Sequence, residues 1–223
     1  MTFRLTFGTM LRSATCAVAL FGATSVSAAT VELVTNGDFS AGSAGFTSDF
    51  TDAGGGTPGL AQFSILNSNY FGLLPQDGNF IAINGGNQNA LPTVWSQDIA
   101  VISGTEYSFS FLLGGTTTVP SPAGQLSIQF DGAEILNATA STGSPATFQS
   151  FGSTFVASAT GTFALSFIET SIGFGGNDYG IDDISLTFDD SVAPPAAVPL
   201  PATGWLVLAS MGGMAAMRRR KTS

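Results

Sequence analysis

The sequence predicts an all-β fold, an antiparallel β-sandwich forming one domain over residues 29–190. Three observations carry this. Side-chain polarity through that stretch alternates with period two, as in strands with one face in a core and one in water. Clusters of Gly, Asn and Asp interrupt the alternation at short intervals, and no apolar 3.6-residue periodicity persists between helix caps. Sixteen of the 19 Phe fall between residues 39 and 188, enough apolar bulk to fill the space between two sheets.

From the N-terminus, residues 1–28 read as an export signal. Arg4 and Arg12 give a positive start, Ala14 to Ala23 an apolar stretch, and Val26-Ser27-Ala28 a small-residue cleavage site, with cleavage expected after Ala28. The alternative, a retained anchor, has about ten apolar residues for a hydrocarbon layer of roughly 30 Å. Cys16, the only cysteine, lies inside the apolar stretch, so the mature chain has no disulfide available.

The clearest strand is Glu106 to Leu113, where Tyr107, Phe109, Phe111 and Leu113 share one face and Ser108 and Ser110 the other. Leu126, Ile128 and Phe130 alternate with Ser127 and Gln129; Phe163, Leu165 and Phe167 with Ala164 and Ser166; Ile184, Leu186 and Phe188 with Ser185 and Thr187. Further strands are expected over Val31–Thr35, Gln62–Leu66, Asn79–Ile83, Trp95–Val101 and Phe148–Val156, making eight or nine in all. Turns fall at Gly54-Gly55-Gly56, Gln76-Asp77-Gly78, Asn84-Gly85-Gly86, Asp131-Gly132 and Gly173 to Gly176.

After the domain, residues 191–203 are rich in Pro and Ala and predict an extended, semi-rigid spacer. Residues 204–217 are uncharged and predict a short transmembrane helix, rising about 21 Å where about 20 residues are the usual span. Arg218, Arg219, Arg220 and Lys221 then form a basic cytoplasmic tail (218–223).

Charge narrows the chemistry. All six cationic side chains lie in the first 12 or the last six residues, and all 15 acids lie between them. Residues 29–200 contain no Lys, Arg, His or Cys. That excludes Ser-His-Asp and Cys-His nucleophiles, Schiff-base lysines, His/Cys zinc sites and a cationic nucleic-acid face. Carboxylates, hydroxyls, amides, aromatic rings and oxygen-ligated calcium survive.

The tail carries a family resemblance. Val198-Pro199-Leu200-Pro201-Ala202, followed by a short apolar helix and an arginine cluster, resembles the VPLPA variety of PEP-CTERM sorting signal. The resemblance implies an exosortase-type membrane protease as partner, export through the inner membrane, and a destination at the cell surface or in an exopolysaccharide or biofilm matrix. Leu200-Pro201-Ala202-Thr203-Gly204 also fits the LPxTG signal of sortases, and that alternative stays open.

A second resemblance lies at the two ends of the domain. Leu33-Val34-Thr35-Asn36-Gly37-Asp38-Phe39 and Tyr179-Gly180-Ile181-Asp182-Asp183-Ile184-Ser185-Leu186 resemble the opening and closing motifs of galactose-binding-like jelly rolls, among them several carbohydrate-binding modules. Trp95-Ser96-Gln97 leading to Gly104-Thr105-Glu106-Tyr107 resembles an internal strand pair of exported proteins with this fold. The resemblance implies a jelly roll whose first strand pairs near its last, with a structural calcium there. The family motif commonly has Glu after the Phe, where this chain has Ser40.

Candidate sites follow. Counting back along the last strand places Asp182 on the face of Ile184 and Leu186, toward the core. A buried carboxylate there must be compensated without any cationic side chain. N–H donors from the Asn36–Phe39 turn would do so, and so would a calcium ion held by Asp182, Asp183, Asp38 and Asn36; a solvated position at the strand's edge is the third option. Gly175-Gly176-Asn177-Asp178 resembles one turn of a calcium-binding β-roll, but a single copy reads as a loop. Trp95, with Tyr70 and Tyr179, is the candidate sugar-stacking platform, although Trp95 alternates with Gln97 and Ile99 and fits a core position equally well.

The expected function is an exported, non-enzymatic surface or matrix protein whose β-sandwich binds a neutral extracellular polysaccharide and no nucleic acid. The alternatives are a self-assembling structural protein without sugar binding and, third, a carboxylate-based glycoside hydrolase.

Overall fold

A computed structural model describes residues 29–86, 91–116, 123–141, 143–171 and 177–190. The export signal with its cleavage site, the spacer, the VPLPA motif, the apolar helix and the basic tail lie outside the described residues, as does Gly173 to Gly176. The described residues are all β, and none of them forms a helix long and apolar enough to cross a membrane.

Eleven strands build two sheets. The larger sheet contains β1 (Thr30–Glu32), β2 (Thr51–Asp52), β3 (Gln62–Leu66), β4 (Phe80–Asn84), β6 (Glu106–Gly115), β9 (Phe148–Val156) and β11 (Asp178–Asp189). Its order is β2-β3-β4-β11-β6-β9, with β1 added to β11. The smaller sheet contains β5 (Thr93–Val101), β7 (Gln125–Phe130), β8 (Ala133–Thr139) and β10 (Gly161–Glu169), in the order β5-β10-β7-β8. All pairs are antiparallel except the two-residue contact of β2 with β3. The result is a jelly-roll-like β-sandwich.

Period-two alternation placed most of these strands to within a few residues. Gln62–Leu66 and Phe148–Val156 agree end to end. Two strands escaped it. β2 is too short to have a period, and β8 places Ile135 and Leu136 side by side because the β7–β8 register shifts after Ile128. Asp131 and Gly132 form the β7–β8 turn with φ of 51° and 74°, as a two-residue hairpin of right-twisted strands requires.

The inner faces meet in a single aromatic core. Tyr107, Phe109, Phe111 and Leu113 of β6 point inward, as their alternation demands, and are at most 2 % exposed. Phe167 of β10 stands edge-on to Phe111, Phe109 and Trp95, with centroids 4.9, 5.8 and 5.4 Å apart. Such edge-to-face contacts add to plain burial because ring edges and faces carry opposite partial charge.

A second apolar cluster lies on the outer face of the larger sheet. The loop between β3 and β4 folds back over it, carrying Tyr70 and Leu73 onto Leu66, Phe80, Ala82 and Phe148. Leu73 is fully buried and drops into a notch left by Gly114 and Gly180; a Cβ on either glycine would collide with it. The Tyr70 and Leu73 backbones bond to each other at 2.9 Å both ways, and Tyr70 donates its hydroxyl to the Ile83 carbonyl.

The opening and closing motifs meet as the resemblance implied. β1 pairs with the end of β11 (Val31 opposite Phe188), while β4 occupies the same edge of β11 further back (Ile81 opposite Ile181). Between the two, β11 bulges: Asp182 faces Leu112 and Ser185 faces Ser110, with Asp183 at φ 49°. Gly37 packs on this bulge so closely that a Cβ would overlap the Ile184 carbonyl, and its own carbonyl accepts the Ile184 N–H at 3.0 Å.

Because Leu73 fills a notch shaped for it, Leu73→Ala should cost about 2–5 kcal/mol. Urea unfolding checks this: the midpoint should fall with the slope unchanged.

Candidate functional site

The bulge alters the expected placement of Asp182. Ile181, Ile184 and Leu186 face the core, but the extra residue at 183 breaks the period-two count, so Asp182 lies on the outer face with Leu112 and Gly180. It is still buried, at 1 % exposed. Its Oδ1 accepts the Asp183 N–H at 2.8 Å, while Oδ2 is buried without a hydrogen-bond partner. Burial pushes its pKa up to about 7 against that one N–H, and Asp183, Asp38 and Asp77 add repulsion. Asp183 is exposed, and its pKa is raised by partial burial and by Asp38 and Asp77.

Two of the four residues proposed to share a calcium, Asn36 and Asp38, are hydrogen-bonded within their own loop. Asn36 donates to the Gly42 and Ala44 carbonyls and accepts the Ala41 N–H, tying up its own loop. Asp38 accepts the Ser40 N–H and hydroxyl, which holds its pKa below the usual carboxylate range. No group of three or more Asp, Glu, His or Cys side chains is placed to hold a metal among the described residues. As they stand, these residues do not fit a calcium ion. The N–H donors expected from the Asn36–Phe39 turn do not reach Asp182 either. What fits the orphaned, buried Oδ2 is a carboxyl that keeps its proton.

Glu32 holds the corner. Its Oε1 accepts the N–H groups of Leu33, Val34 and Leu186 (3.0, 2.8 and 2.9 Å), and Oε2 accepts the Ser185 hydroxyl. One carboxylate thereby joins the first strand to the last across the bulge. Glu32 was not among the candidate residues.

The three rings proposed as a stacking platform are all in the interior. Trp95 and Tyr179 are 0 % exposed and Tyr70 2 %, so none offers an open face to a sugar. The Trp95 indole N–H and the Tyr179 hydroxyl are buried without partners. The platform therefore gives way to the core position that the Trp95 alternation also allowed.

A second buried acid was missed. Glu169 closes β10 on the inner face, 1 % exposed, where the alternation Phe163, Leu165, Phe167 continues to place it. Its Oε1 accepts the Ser171 hydroxyl and the Asn177 amide at 3.0 Å each, and Oε2 is buried without a partner. Burial pushes its pKa up to about 7, against the Ser171, Asn177 and Gly86 donors and with Asp178 adding repulsion. Ser171 and Asn177 are thus both tied to one carboxyl. Gly85 passes so near that a Cβ would strike Asn177 and Glu169.

The open polar surface with most built structure is the outer face of the smaller sheet. Ser96 on β5 bonds Ser166 on β10 at 2.8 Å. On β7 and β8, Gln129 donates to Ser127, Ser127 to Glu134 and Asn137 to Glu134 (3.4, 2.7 and 2.6 Å). Ser166 and Gln129 are register partners, so the two networks form one row across four strands. Ala164 and Ile168 lie between the polar groups on β10. Beyond β5 the face runs into a shallow groove of about 490 Å³ lined by Thr35, Thr47, Ser96 and Asp98. Its wall is fixed by Gln97, which bonds the Thr35 N–H and carbonyl and the Gly45 carbonyl. Among the described residues the face displays amide and carboxylate acceptors around Ala164 and Ile168 and no cationic group.

No protein-family model matches the chain. No curated protein matches it either. Solved structures share the fold at low identity. A tandem of CBM22 domains from Paenibacillus barcinonensis superposes with a TM-score of 0.51 at 14% identity, covering 79% of this chain and 50% of that one. A Stig cyclase from Fischerella sp. TAU gives 0.51 at 12% identity, covering 71% and 98%. A CBM61 module solved with β-1,4-galactotriose gives 0.44 at 15% identity, covering 70% and 97%. The shared fold therefore occurs in both binding modules and enzymes.

The buried acids set a pH dependence. Their folded-state pKa values of about 7 exceed the ordinary 4.5 of Glu and 3.8 of Asp, so the folded state holds those protons more tightly than the unfolded chain. Their stabilising contribution is complete below the ordinary values and is lost as pH rises through about 7. With each tenfold in proton affinity worth about 1.4 kcal/mol, the loss is on the order of a few kcal/mol. Denaturant midpoints should fall between pH 5 and pH 8 in the wild type, and Glu169→Gln with Asp182→Asn should flatten the slope. Thermal melts with calcium and with a chelator should coincide; a calcium-dependent rise abolished by Asp182→Asn would restore the metal reading.

Proposed function

We propose that the domain is a non-catalytic carbohydrate-binding module of an exported surface or matrix protein, taking a neutral glycan on the outer face of the smaller sheet. The observation that carries this is a polar row made of two hydrogen-bonded networks, Ser96 with Ser166 and Gln129 with Ser127, Glu134 and Asn137, set side by side by the Ser166–Gln129 register. Its carboxylate and amide oxygens can accept from sugar hydroxyls, and its order is set before any ligand arrives. The absence of cationic side chains from residues 29–190 opposes direct binding of an anionic polymer. The likeness in fold to carbohydrate-binding modules agrees with this reading.

Against an enzyme stands the position of the two acids with pKa near 7. They are the natural general acids of the domain, yet Glu169 and Asp182 are both 1 % exposed, out of a substrate's reach.

Export and sorting belong to the same proposal. Residues 1–28 direct secretion, and the Val198–Ala202 motif hands the protein to an exosortase-type protease. Cleavage after Ala28 has a structural counterpart: the Ala29 nitrogen lies 2.9 Å from the Asp190 carboxylate, so the new terminal ammonium would gain a counter-charge.

Affinity electrophoresis through neutral polysaccharides, backed by calorimetry, tests the binding face. Gln129→Ala with Asn137→Ala should weaken binding about tenfold or more in a protein that still unfolds cooperatively, two lost hydrogen bonds to the sugar being worth about 1–3 kcal/mol. Undiminished binding would move the ligand off this face. For sorting, deletion of residues 198–223 should release the protein from the surface, and unchanged retention would overturn the tail's role.

A further inference from the structure

The end of the sandwich from which the last strand leaves carries an apolar groove. Phe155 and Val156 at the end of β9, Phe130 and Ile135 around the β7–β8 turn, and Phe163 of β10 line about 200 Å³. Val156 is 61 % exposed, and Ile135, Phe155 and Phe163 are half-buried. The Phe130 ring packs on Phe155 and Phe163 with centroids 4.7 and 5.9 Å apart, so the aromatic wall is built in advance. Among the described residues Asp131 is the only charged group on the lining. Register brings the chain's exit to this groove. Ser108 of β6 faces Thr187 of β11 on one side and Thr154 of β9 on the other. Asp189 and Val156, each two residues further along, therefore share one end of the sheet, two strand spacings or about 10 Å apart.

We propose that this groove binds the chain's own Pro/Ala-rich segment, residues 192–199, turned back across the end of the sandwich. Reach allows it. An extended proline-rich chain advances about 3.1 Å per residue, so three or four residues after Asp190 cross the gap and the rest lie in the groove. Chemistry matches. Val192-Ala193-Pro194-Pro195-Ala196-Ala197-Val198-Pro199 has three prolines and no charge, so it meets no repulsion from Asp131. Such a run is stiff before it binds, and its prolines and small apolar side chains suit a shallow groove walled by aromatic rings. Tethering selects this occupant over a separate molecule. A segment held this close is present at an effective concentration on the order of millimolar, so a contact area too small to capture a free partner suffices. Docking itself depends on neither the sugar-binding nor the sorting reading. One consequence rests on the latter: Val198 and Pro199 begin the sorting motif, so docking and processing compete for the same residues.

Disulfide trapping in the full chain tests the contact. Cys16→Ser removes the only native cysteine, and Ser158→Cys on the exposed rim of the groove with Ala196→Cys in the segment then supplies one pair. Under mild oxidation this pair should close within a single chain, at a rate independent of protein concentration. A loose tether would also close at some rate, so the groove itself is varied. Val156→Asp, at an exposed position, places a charge in the groove and should slow closure about tenfold or more, whereas Val156→Leu should not. Ala193→Asp with Ala197→Asp should slow it in the same way and, lying beyond the last strand, leaves the fold of the domain untouched. Closure as fast in both acidic variants as in the parent, or disulfides that join two chains, would overturn the proposal. Affinity for neutral polysaccharide should be the same in all of these chains, so failure of this contact and failure of the sugar-binding reading give different results.

Discussion

Residues 29–190 carry 15 carboxylates and no cationic side chain, and among the described residues most of the polar architecture follows from how each acid is handled instead. Exposure is the simplest treatment. Donors are the second: Glu32 collects three N–H groups and a hydroxyl, and in doing so joins the first strand to the last. Protonation is the third, and it fits Asp182 and Glu169, each with one oxygen bonded and the other buried alone. An ion pair would have fixed these acids as charged at neutral pH. Here the interior and the solution compete for two protons, which makes the fold's stability a function of acidity to a degree that a salt-bridged sandwich of the same shape would not share.

Much of the sandwich was legible because alternation is a direct consequence of strand geometry. Tyr107 through Leu113 and Phe163 through Phe167 point where the period says, and the same count extended by one step places Glu169 indoors. What was illegible shares one cause. The period holds only while the register holds, and a bulge adds a residue without any polarity signal. The bulge around Asp183 turned Asp182 from the predicted core face to the outer face, and the shift after Ile128 hid β8. Tyr70 was misread for a different reason. It was placed in a sugar-stacking platform, whereas Leu73, three residues on, seats its loop on the sheet through a notch visible only as two distant glycines, Gly114 and Gly180.

The same scarcity of cations divides the surface by task. A glycan supplies hydroxyl donors and, when neutral, meets no repulsion, so the acceptor-rich outer face of the smaller sheet suits it. Hydrogen bonding of such a face to a neutral sugar should change little with ionic strength. Acidity also tightens the interior through Glu169 and Asp182.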